Sequence, residues 1–120
     1  MPKTPRFSVA LRLEPAKLEN PDLELRWELE RRLKNHLPDL EVVEDGFGFC
    51  RHSDAMLISY ASVDAGRVVA ALVQVLENEE VLGNRLANGA MLATAPAEST
   101  DFAEHVVVYP TALAGTPLPD

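Results

Sequence analysis

The run Ala55-Met56-Leu57-Ile58-Ser59-Tyr60-Ala61 constrains the fold most, because as an extended strand it is apolar on both faces. Met56, Ile58 and Tyr60 fall on one side, and Leu57, Ser59 and Ala61 on the other. A strand with two apolar faces belongs in the middle of a sheet. Ahead of it stand Val42 and Val43, then Asp45-Gly46, then Phe47 and Phe49 in alternation. β-Branched residues, a turn former and alternating aromatics describe a strand that enters and leaves a kink. Gly46 and Gly48 flank Phe47, which suits either a tight two-residue hairpin or a glycine bulge inside one long strand. Leu40 to Ser62 therefore reads as the central strand pair, and it also holds most of the reactive side chains.

The remaining elements follow from periodicity and punctuation. Phe7 to Glu14 alternates, with Phe7, Val9, Leu11 and Leu13 on one face and Ser8, Ala10, Arg12 and Glu14 on the other, as in a half-buried strand. Asn20-Pro21 has the form of a helix start, Asn20 as N-cap and Pro21 at the first helical position. The predicted helix runs to about Asn35, with Leu25, Leu29, Leu33 and Leu37 on its buried row and Pro38 closing it. Its acids come early and its bases late, and the pairs Glu28 to Arg32 and Glu30 to Lys34 are four apart, which supports the helix itself. Ser62 or Asp64 caps a second helix marked by Val68, Val69, Leu72, Val73 and Leu76. A short turn or loop broken near Gly83 leads through Asn88-Gly89 to a strand at Ala90 to Thr94, and a last strand covers Val106 to Tyr109.

This order, with right-handed crossovers, predicts an α+β fold: a ferredoxin-like βαββαβ unit with an additional C-terminal strand, its antiparallel sheet carrying two helices on one face. The 120 residues make one domain over residues 1–111, followed by a flexible tail at 112–120. No apolar run approaches the roughly 20 residues of a membrane helix, and Cys50 is the single cysteine, so a cytoplasmic protein is expected. Net charge is −8 and uneven: eight basic residues stand against six acidic ones through His36, but three against thirteen beyond it. Such a field opposes nucleic acids and anionic membranes.

The segments EDGFGF (44–49), SDAMLISYA (53–61) and VDAGRVVAALVQVL (63–76), with the spacing from Phe7 to Tyr109, resemble a group of small acidic bacterial proteins with a ferredoxin-like fold. Many of that group are uncharacterised, and some resemble immunity proteins encoded beside toxins. The resemblance carries no catalytic motif and implies no particular functional residue.

Cys50 and His52 are two apart, so on an extended strand they leave the same face, and with His105 or Glu104 they would offer thiolate and imidazole to zinc. A single Cys-x-His with no second ligand pair is more simply a small strand residue beside a loop, and neither metal nor cofactor is expected. A Cys/His nucleophile needs a base in hydrogen-bond reach and oxyanion donors, and the sequence offers no such set. Gly46-Phe47-Gly48 lacks the third glycine and the following helix of a dinucleotide loop. No catalytic residue is assigned.

Acidic surface is the remaining signal: Glu41, Glu44, Asp45 and Asp54 near the strand pair, Glu77, Glu79 and Glu80 after the second helix, and Glu98, Asp101 and Glu104 before the last strand. The sequence is thus read as a non-enzymatic module that binds a basic protein, with an inhibitor or immunity-type factor as its narrower form, through Glu41, Glu44, Asp45, Asp54, Glu77, Glu79 and Glu80, with Trp27 as its aromatic contact. The alternative is a ferredoxin-like dimer that binds or transforms a small molecule at the sheet face, using His52, Asp54 and Tyr60. Whether an edge strand pairs between two copies stays open.

Overall fold

The computed structural model describes residues 7–20, 24–50, 54–96 and 104–118. Among these residues five strands and two helices follow one another in the order β1 (Phe7–Leu13), α1 (Leu25–His36), β2 (Val43–Phe49), β3 (Met56–Ser62), α2 (Ala65–Asn78), β4 (Ala90–Pro96) and β5 (Val106–Tyr109). All strand pairs are antiparallel, and the sheet order is β2-β3-β1-β4-β5. The fold is α+β, as expected. Leu25, Leu29 and Leu33 of α1 and Val68, Leu72 and Leu76 of α2 share one core with Val9, Leu11, Ile58, Tyr60 and Leu92, so both helices cover the same face of the sheet. Among the described residues, no helix is long and apolar enough to cross a membrane.

Two expectations about the strands are corrected. β1, read as half-buried, is the middle strand, with Val9 registered between Tyr60 of β3 and Thr94 of β4. All of its residues after Phe7 are buried. The Leu40 to Ser62 pair is not central, because β2 is an edge strand. Period-two alternation reports polarity and not cover, and the second face of β1 is small or capped rather than solvated. That face carries its own cluster of Ala10, Cys50, Ala55, Leu57, Ala93, Val107 and Leu118.

Leu118 comes from the segment expected as a flexible tail, which through residue 118 folds back along β5. Val107 N–H donates to Thr116 O at 2.8 Å, Leu118 N–H donates to His105 O at 3.1 Å, and Val106 bridges to Pro117. His105, 2% exposed, places Nε2 2.8 Å from Ser8 Oγ on β1.

The kink in β2 is a bulge within one strand. Glu44 lies opposite Tyr60 and Gly46 opposite Ser59, so Asp45 is the extra residue and no hairpin forms there. The first helix starts later than expected, at Leu25 after Glu24, and Asn20 is not its cap. Asn20 pairs instead with the fully buried Asn84: Asn20 N–H donates to Asn84 Oδ1 at 2.6 Å, Asn84 Nδ2 donates to Asn20 O at 2.8 Å, and Asn20 Nδ2 donates to Leu82 O at 3.0 Å. These bonds tie the approach to α1 to the turn after α2, a long-range use of Asn that local capping rules do not anticipate. That turn bridges Val81 to Asn84 with positive φ at both Leu82 (49°) and Gly83 (82°), which explains the glycine. Asp64 caps α2 by accepting from Arg67 N–H at 3.0 Å, while Ser62 Oγ accepts from Asp64 N–H at 3.2 Å.

Candidate functional site

The open edge of the sheet and the first turns of α1 build a compact cluster around Arg26. In the β2–β3 register, Glu44, Phe47 and Phe49 lie opposite Tyr60, Ile58 and Met56, so these three β2 residues share the helix-side face. Leu25 anchors α1 in the core, and its neighbours Arg26 and Trp27 are thereby turned to the boundary over β2. Arg26 donates two hydrogen bonds to Glu44, Nε to Oε1 at 3.0 Å and Nη2 to Oε2 at 2.8 Å. Its guanidinium carbon also lies 4.3 Å from the Trp27 ring centroid and 4.2 Å from that of Phe47. A planar cation held in a carboxylate fork can still offer its faces to aromatic rings, which an ammonium cannot do as well. Phe49 extends the cluster, edge-on to Phe47 with centroids 5.5 Å apart.

Much of this apolar surface faces outward. Trp27 is 57% exposed and Phe49 54%, with Val43 exposed on the other face of the same strand. Beneath them lies Tyr60, fully buried, whose hydroxyl has no hydrogen-bond partner among the described residues. Burial first, and then the charge of Glu44, push its phenol well above the ordinary value of 10. The hydrogen bond that Arg26 donates to Glu44 in turn holds the Arg26 proton more tightly.

Comparison of the chain with models of protein families, with curated proteins and with solved structures finds no match. What the site can do is therefore argued from its own geometry.

The acidic residues expected to meet a partner divide into two sets. Glu44 is committed to Arg26 with its side chain 10% exposed. Glu79 accepts from Arg32 at 2.9 Å and lies 2.6 Å from His36 Nε2, and His36 followed by Arg32 holds its carboxyl below the ordinary range. Arg32 also reaches Glu28, so this network clamps the end of α1 to the end of α2. Glu77 accepts from the Tyr109 hydroxyl at 3.1 Å. Glu41, Asp54 and Glu80 are exposed, Glu80 beside a cleft of about 530 Å³ that Glu77, Glu79 and Arg85 also line. Glu98 and Asp101 lie outside the described residues, as does the side chain of Asp45.

Of the alternative small-molecule set, the two described members, Asp54 and Tyr60, are not brought together. Asp54 is exposed just before β3, at the end away from Tyr60, and six residues of strand separate them by roughly 20 Å. Tyr60 sits in the helix-side core, and His52 lies outside the described residues. Of the other chemistries, Cys50 is buried in the second cluster and His105 is turned to Ser8. Among the described residues, no three His, Cys, Asp or Glu side chains are placed to hold a metal ion.

Arg26, Phe47 and Phe49 were missed as site residues by sequence reasoning. The adjacent pair Arg26-Trp27 on a helix boundary was the available signal. It gains meaning only when the fold sets it against Phe47.

Proposed function

We propose that this chain is a non-enzymatic protein-binding module, and that its sheet order, β2-β3-β1-β4 with β5 added outside, is the ferredoxin-like arrangement expected from the element order. The reading is carried by one observation. Trp27 of α1 and Phe49 of the edge strand, two large aromatic residues more than half exposed, are linked through Arg26, which lies over Trp27 and Phe47 and is paired with Glu44, and through Phe47, which meets Phe49 edge-on. Aromatic residues beside a partly buried arginine are the side chains that anchor protein interfaces. An overall charge of −8 selects a basic partner and hastens its arrival in a salt-dependent way. This supports an inhibitor or immunity-type role in the cytoplasm, consistent with the resemblance to small acidic bacterial proteins.

The test is affinity capture from the source organism's lysate with the wild-type chain and with a Trp27→Ala/Phe49→Ser double variant. A basic protein should be retained by the wild type at low salt, weakened at high salt and lost with the variant. Equal retention by both would remove the aromatic edge from the interface.

A further inference from the structure

We infer that the β2 edge takes up an extended, basic segment of the partner as an additional antiparallel or parallel strand. This rests on the protein-binding reading and gives it a site and a ligand class. The sheet has two edges, and they are treated differently. At β5 the chain's own residues 115–117 occupy the outer side, Val107 N–H bonding to Thr116 O at 2.8 Å and Val107 O accepting from Gly115 N–H at 2.9 Å. At β2 no strand lies outside among the described residues. An edge strand leaves alternate N–H and C=O groups directed away from the sheet, and those groups template an added strand.

The two faces of β2 give such a strand unequal surroundings. On the helix side, Trp27, Phe47 and Phe49 offer apolar contact to every second residue of the incoming segment. On the opposite side Gly48 leaves a low shelf, where an added Cβ would meet nothing within 4 Å, while the space at Gly46 is filled by Ser59 Oγ, 2.6 Å from where a Cβ would stand. Long side chains fit over that shelf. The bulge at Asp45 interrupts the register, so the regular docking stretch is Gly46–Phe49. Charge chooses the occupant. A second copy would bring another −8 to this edge, whereas alternating lysines in a partner segment meet the field favourably, and Glu41 and Asp45 precede the docking stretch in the chain.

Trp27 is the chain's single tryptophan and lies in the patch, so it reports directly. The probe is a capped heptapeptide that alternates lysine with valine and phenylalanine. Its controls are the same peptide with a central proline, which cannot donate into a strand ladder, and one with glutamate in place of lysine. Titration should shift Trp27 emission to the blue and change backbone amide resonances across Gly46–Phe49, with both controls at least ~10-fold weaker. Phe49→Ser, at a position more than half exposed, should keep the circular dichroism spectrum and lose ~10-fold in affinity. Equal binding of the proline peptide, or no binding at ~1 mM, overturns strand addition. Amide changes confined to Glu77–Glu80 would also overturn it while leaving a protein-binding module, and failure of the wild-type chain to retain any basic protein in the lysate experiment is what would sink that broader reading. A dimer with amide protection on β2 would assign the edge to a second copy and overturn the basic segment.

Discussion

Tyr60 is the residue whose environment is least comfortable. Its ring fills the helix-side core beside Ile58 and Val9, and its hydroxyl is buried without a hydrogen-bond partner among the described residues. A buried hydroxyl in that state costs about 1–3 kcal/mol. Tyr60→Phe keeps the ring and removes the cost, so the variant should be more stable by up to about that amount, read as a higher urea midpoint with unchanged slope. A loss of stability would mean that the hydroxyl makes a bond in solution. Residue-level reading of the sequence succeeded where burial alone mattered: the row Leu25, Leu29, Leu33 is fully buried as its spacing requires. It failed where the partner is distant along the chain. Arg26 finds Glu44 eighteen residues away, and Asn20 finds Asn84 sixty-four residues away. No local pattern marks either pair, because their meaning comes from how elements dock.

At the level of elements, the alternation in β1 and the apolar run in β3 were legible as strands, and the helices were legible from their stripes. The position of β2 was not, since hydrophobic patterning says which side chains share a face and not which strands stand beside it. Phe47 and Phe49 alternate as a core strand would, yet Phe49 is half in solvent because no strand among the described residues flanks that edge. The opposite edge shows the complementary case. Pro110 correctly ends β5, but the mostly small, proline-containing residues beyond it return and place Leu118 against Ala10 and Val107. Leu118→Ala should therefore cost about 2–3 kcal/mol, as for a buried leucine truncated in a small cluster. Ending the chain at Gly115 should cost at least as much and expose the outer side of β5, giving concentration-dependent association in light scattering. If both changes left the urea midpoint where it was, the returning segment would contribute nothing to the fold.

Stability of the whole molecule should be bounded on both sides by ionisation, for reasons that lie in different parts of the fold. On the acid side, Glu28 is held below its ordinary 4.5 by hydrogen bonds from Arg31 and then Arg32, Glu79 by His36 and then Arg32, and Asp39 below its ordinary 3.8 by Arg67. A carboxyl with a depressed folded pKa contributes stability that is present above its unfolded value and is lost as pH falls through the folded one. The clamp between α1 and α2 should accordingly weaken below about pH 4.5, and more so in low salt, where these partly exposed pairs are least screened. On the alkaline side the sign reverses. Tyr60 is raised above 10 by burial and then by Glu44, and Tyr109 by burial and then by its bond to Glu77. Their contribution is intact below pH 10 and disappears as the pH climbs toward the raised folded values, because only the unfolded chain ionises easily there. Urea midpoints measured across pH should thus fall at both ends, with phenolate absorbance rising together with unfolding on the alkaline limb. Tyr60→Phe should flatten that limb and leave the acid limb unchanged. An alkaline limb identical in the variant would place the linkage on Tyr109 alone, and phenolate absorbance appearing near pH 10 while the chain is still folded would mean that Tyr60 is not buried as the fold requires.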